Sequence, residues 1–128
     1  MKNKGFSLIE LMVVVAIVGV ILAFAIPAYQ QQATEARRSD GHTRLMEVQS
    51  RMERFAFDNN TYTTDLTDLG YAQASNLPSA EGFYQVTALT CAADPITICY
   101  RLRAVPQGGQ VGDGNLELHS DGTRVGNW

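Results

Sequence analysis

Hydrophobic positions change their pattern twice along this chain. From Phe6 to Ile26, 21 residues are apolar or small except Ser7 and Glu10. At 1.5 Å per residue that run covers about 31 Å, enough to cross a bilayer core. Beyond Pro27 the pattern turns amphipathic, with Leu45, Val48, Met52 and Phe55 spaced by three and four residues, so one helix face is expected to be buried. The two stretches predict one helix from Phe6 to about Phe57, about 78 Å long and too long for a compact domain of this size. Its first half is expected to project. Two helix weakeners, Gly19 and Pro27, fall inside that half.

Residues 58–82 read as a loop by their Asn, Thr, Ser, Gly and Pro content. Within it, Thr64 to Gly70 carries a capping residue, acidic positions and a terminal glycine, predicting one short helical turn, with Tyr62, Leu66, Leu69 and Tyr71 pinning the loop. Alternation then predicts strands at 83–89, 98–105 and 115–119, and a short fourth one including Arg124 and Val125 after an Asp121-Gly122 turn. The expected fold is α+β: a small antiparallel sheet of three to four strands packed on the amphipathic half-helix, each burying its one apolar face.

Composition sharpens this division. The only lysines are Lys2 and Lys4, so the chain from Phe6 onward sets 8 arginines against 13 carboxylates, a net charge of -5. Such a body does not attract nucleic acid or anionic lipid, and any such binding needs a local arginine patch. Arg101, Arg103 and Arg124 are the candidates; Arg101 and Arg103 share a strand face with Cys99 and Val105. Arg37, Arg38, Arg44, Arg51 and Arg54 lie mainly off the apolar helix stripe, and Glu47 stands four residues before Arg51, a supporting orientation. These arginines form a solvated, salt-bridged face or meet acidic loops of neighbouring copies. Cys91 and Cys99 suggest one disulfide, stapling the hairpin of the first two predicted strands.

Chemistry is sparse. His42 and His119 have no nucleophile context, there is no phosphate-binding glycine loop and no zinc spacing. Asp113-Gly114-Asn115-Leu116-Glu117 has oxygen ligands at alternate positions but lacks the glycine and the bidentate glutamate of a calcium loop. No enzymatic activity, cofactor or metal is expected.

The N-terminus admits three readings. Ala23-Phe24-Ala25 could end a secretory signal, leaving Ile26 as the first residue, or the run could be a plain anchor. Neither explains Glu10, a carboxylate that costs roughly 2.5–3.5 kcal/mol at the centre of a membrane helix. The third reading cuts between Gly5 and Phe6 and sets Glu10 beside a free amine. Ser7-Leu8-Ile9-Glu10 also fits a capping box, and an acidic residue suits a helix start. A cap explains why Glu10 is tolerated, whereas desolvation in lipid or in a fibre core calls for a full positive partner.

The stretch KGFSLIELMVVVAIVGVILAFAIPAY, with Gly5-Phe6-x-x-x-Glu10, an apolar run, and Pro27 followed by Tyr29, resembles the class III signal of type IV prepilins. The leader Met1 to Gly5 is short, as in the type IVa group. TYTTDLTDLGY, GFYQV and AVPQGGQ extend the likeness to PilE-type minor pilins. The resemblance implies a leader at 1–5, a membrane and polymerisation half-helix at 6–29 and a globular domain at 30–128. It implies cleavage after Gly5 by prepilin peptidase, N-methylation of Phe6, and pairing of Glu10 with the Phe6 amine of a neighbouring subunit. It also implies weakening of the helix between Gly19 and Pro27 on assembly. Its partners would be other pilins and the inner-membrane assembly machinery, and its location first the inner membrane, then an extracellular fibre. Many such pilins close a C-terminal loop with a disulfide, but here no cysteine follows Cys99. The expected function is a structural pilus subunit of the minor kind; the alternatives are a pseudopilin of a type II secretion system and a pilin that binds DNA or another ligand.

Overall fold

A computed structural model describes residues 5–128 of the chain. Lys2 and Lys4, the basic part of the expected leader, lie outside the described residues. One helix, α1, runs Leu8–Asn59, 52 residues with Pro27 inside it. The chain divides into two units, 1–33 and 34–128. In the first, every residue from Gly5 to Gln32 is exposed, and the helix is unbroken through Gly19 and Pro27.

The second unit holds the core. Five strands, β1 (Leu77–Pro78), β2 (Tyr84–Thr90), β3 (Tyr100–Pro106), β4 (Leu116–His119) and β5 (Arg124–Val125), form an antiparallel sheet in sequential order. Alternation sends Tyr84, Val86, Tyr100, Leu102, Leu116 and Leu118 inward, where they meet Leu45, Val48 and Met52 of α1. Phe55 is only partly buried against the same cluster. The sheet therefore has five strands rather than three or four. The extra one, β1, is a two-residue pairing of Leu77 and Pro78 with Val86 and Gln85, at a sheet edge where proline is tolerated.

The loop after α1 folds as expected around a 3-10 turn at Leu66–Leu69. Asp65 accepts from the Thr67 amide at 2.9 Å, and Gly70 closes the turn at φ +85°. Leu66 and Leu69 are buried, with Tyr62 and Tyr71 packed against the core. Tyr62 meets Tyr100 edge to face at 4.6 Å. The Tyr100 hydroxyl donates to Glu53 of α1 at 2.8 Å, and burial first, then Glu53, raises its pKa. Cys91 and Cys99 are bonded across the β2–β3 connection. In the chain-entropy account a loop this short contributes roughly 2–3 kcal/mol.

At Gly41 helix and sheet approach closely. A Cβ built there would stand 2.8 and 2.9 Å from ring atoms of the fully buried Tyr84 and 3.1 Å from Leu116. The Tyr84 ring is held by its hydroxyl, 3.0 Å from Asp113, and by its place under the helix. Gly41→Ala gains about 1 kcal/mol of helix propensity, while overpacking costs about 1–3 kcal/mol. With the ring unable to swing away, overpacking wins. The variant is expected to melt several degrees below the parent chain, as followed by circular dichroism.

Candidate functional site: the N-terminal segment and the charged faces

Gly5, Phe6 and Ser7 lie outside the helix, and Phe6 is 80 % exposed. The Gly5–Phe6 bond is therefore in non-helical backbone, and among the described residues beyond its chain neighbours nothing lies within 4 Å of a Cβ built on Gly5. Helix hydrogen bonding begins at Ser7, whose carbonyl accepts from the amides of Glu10 and Leu11 at 3.0 and 3.2 Å. The capping box does not form: among the described residues neither the Ser7 hydroxyl nor the Glu10 carboxylate makes a hydrogen bond, because the first turn closes on main-chain groups alone. Glu10 is thus an exposed carboxylate among exposed Leu8, Ile9, Leu11 and Met12, with no cationic partner among the described residues. A chain of this kind can hide its apolar surface only in lipid or against other such helices.

The expected basic patch is divided by the sheet. Arg101 and Arg103 do lie together on the outer face. Arg103 Nε donates to Glu117 Oε1 at 2.7 Å and Arg101 Nη1 is 3.6 Å from Glu117 Oε2. Arg124 pairs with inward-facing Leu118 and so lies on the opposite face. There its guanidinium sits 4.8 Å from the centre of the Trp128 ring, whose other neighbour is His42, stacked at 4.5 Å and 2°. Residues on adjacent strands share a face only in the right register, which a single strand's pattern does not disclose. Burial holds His42 mainly neutral, with its pKa below the ordinary histidine value, and the cations of Arg124 and Arg38 add to this.

The helix arginines likewise divide. Glu47 binds Arg44 at 2.8 Å and Arg51 at 3.3 Å, the expected surface pairing, and Arg51 also lies 4.3 Å over the Tyr71 ring. Arg37 lies 4.9 Å over Phe83. Arg38 is different. Its Nε donates to Asp113 Oδ2 at 2.6 Å and Nη2 to Oδ1, a two-pronged pair spanning 75 residues. Asp113 also accepts from the Tyr84 hydroxyl at 3.0 Å and Gln110 Nε2 at 3.1 Å. Its carboxyl is only 4 % exposed, and its pKa is held down to about 2, chiefly by the bond from Arg38. The segment that resembled a fragment of a calcium loop thus uses its first carboxylate to tie a 3-10 turn, Gly108–Asp113, to α1. No metal-binding cluster occurs among the described residues.

A long helix, apolar at its start and amphipathic where it covers an antiparallel sheet, defines a pilin-like α+β protein. Residues 1–26 match the family described as "Prokaryotic N-terminal methylation motif" and residues 27–117 the family described as "Type IV minor pilin ComP, DNA uptake sequence receptor". The chain belongs to the type IV pilin family. It is 34 % identical over 71 residues to the type IV major pilin protein PilA of Myxococcus xanthus, covering 56 % of this chain and 32 % of that protein. It is 36 % identical over 75 residues to the type IV major pilin protein PilE of Neisseria gonorrhoeae, covering 59 % and 45 %. It is 58 % identical over 39 residues to a type IV major fimbrial protein FimA of Dichelobacter nodosus, covering 30 % and 24 %. The matched stretch therefore spans less than half the length of each of these relatives.

Proposed function

We propose that this pilin is a minor subunit of a type IV pilus. Its apolar half-helix anchors it in the inner membrane. Prepilin peptidase cleaves after Gly5 and methylates the Phe6 amine, and the assembly machinery then moves the subunit into an extracellular fibre beside other pilins. Glu10 registers the subunit by pairing with the Phe6 amine of a neighbour, and the helix loosens between Gly19 and Pro27 as it leaves the lipid. The observation that carries this reading is the lone carboxylate, Glu10, in the first turn of an otherwise apolar, exposed helix that follows an accessible Gly5–Phe6 bond. The minor assignment rests on the family description matched by residues 27–117.

The same description names a receptor for DNA, which favours a second role: a pilin that binds DNA through an arginine patch on the globular unit. Intact mass and N-terminal fragment spectra of the native membrane and sheared-surface fractions test the first reading. A chain starting at N-methylated Phe6 is expected in both. A chain starting at Met1 or Ile26 would refute processing after Gly5 and leave Glu10 without its partner amine.

A further inference from the structure

On the outer face of the sheet, antiparallel register sets Arg103 opposite Glu117 and Arg101 opposite His119. Among the described residues Glu117 is the one acceptor these three groups share. Its Oε1 accepts from Arg103 at 2.7 Å. Its Oε2 stands 3.6 Å from both Arg101 Nη1 and His119 Nε2, too far for either to complete a hydrogen bond. His119 Nε2 is shielded from solvent yet has no partner among the described residues. Among the described residues Arg101 is otherwise fixed through its Nε alone, which donates to the Thr90 carbonyl at 3.3 Å. Three cationic or protonatable side chains thus converge on one carboxylate, and their donors exceed its capacity.

We propose that the outer face of β3 and β4 is a phosphodiester-binding surface for DNA, built on Arg101 and Arg103 and switched by protonation of His119. This rests on the DNA-binding reading above and locates and regulates it. With His119 neutral, two guanidiniums and one carboxylate leave a charge of +1. An imidazolium raises it to +2 and draws in Glu117 Oε2, so that Arg101 turns its donors outward to a phosphate. The groups facing His119 are Arg101 from β3, Glu117 on its own strand, Arg103 through the shared carboxylate, and Asp121 in the β4–β5 turn. The Thr123 amide keeps Asp121 ionised. Histidine is the side chain that changes charge between pH 5 and 8. DNA is therefore held more tightly below neutrality.

Fluorescence anisotropy of a labelled duplex with the detergent-solubilised full chain, from pH 8 to 5.5 at fixed salt, tests the proposal. Affinity is expected to rise about three- to tenfold as pH falls, and the salt slope to steepen by about one. H119Q should abolish that rise while leaving binding at pH 8 as it was. E117Q should bind at pH 8 about as tightly as the parent does at pH 5.5, and R101Q and R103Q should weaken binding at pH 5.5. Unchanged binding in R101Q and R103Q, or a full pH response in H119Q, overturns this surface while DNA binding itself stands. Absence of duplex binding by the parent chain at every pH overturns both.

Discussion

A chain carrying Glu10→Ala is expected to be cleaved and methylated at Phe6, to accumulate in the membrane, and to be lost from sheared fibres. The two halves of that outcome have different physical sources. In lipid, an unpaired carboxylate is a cost, at most the roughly 2.5–3.5 kcal/mol of a helix centre and less in the first turn, so alanine makes insertion easier and the membrane pool should not shrink. In the fibre, the carboxylate is expected to accept a charge-assisted bond from a neighbour's Phe6 amine, worth about 1.5–3 kcal/mol per subunit. Losing it lowers incorporation roughly 10- to 150-fold. Glu10→Gln, which keeps shape and hydrogen bonding but not charge, should lie between. The check is quantitative immunoblotting of membrane and fibre fractions. A variant incorporated at parental levels would show that Glu10 has no part in registering the subunit.

The pattern that motivates this proposal is local: a glycine, a phenylalanine and a carboxylate lie within six residues, and the apolar run is read directly. The same holds for α1, expected from Phe6 to about Phe57 and found at Leu8–Asn59, and for the 3-10 turn with its Asp65 cap and Gly70 stop. What the sequence did not disclose is long-range. Leu77 and Pro78 form a strand only because β2 offers an edge, and nothing in their own composition favours one. Arg124 looked like a partner of Arg101 and Arg103, but its pairing with Leu118 sets it on the other face. Asp113 lay in a stretch with only part of a calcium-loop pattern, and its partner Arg38 lies 75 residues away in the chain. The helix arginines looked equivalent, yet Arg38 alone meets a carboxylate that is nearly buried, whereas Arg44 and Arg51 share the more open Glu47.

That difference sets the second large expectation. Asp113→Asn should destabilise the globular unit by about 3 kcal/mol, because it leaves the guanidinium of Arg38 facing an amide where its carboxylate stood. The lower end of the range for buried pairs applies, since the Arg38 side chain is 25 % exposed and water screens part of the attraction. For a unit of this size such a loss lowers the melting temperature by roughly 10–20 °C. Arg38→Met should cost a similar amount, because it strands the carboxylate. The double change Arg38→Met with Asp113→Leu should recover much of the loss, because two apolar groups replace two charges that each needed the other. The pH dependence has a defined sign. Asp113 is held down to about 2 in the folded chain, below its ordinary value near 3.8. Its contribution is therefore complete above the ordinary value and is lost as pH falls from there toward 2. Thermal melts of the detergent-solubilised chain between pH 2 and 7 should show this acid step in the parent and a smaller one in Asp113→Asn. Equal acid sensitivity in the two chains would mean that other carboxylates govern acid unfolding and that the tie between α1 and the Gly108–Asp113 turn contributes little.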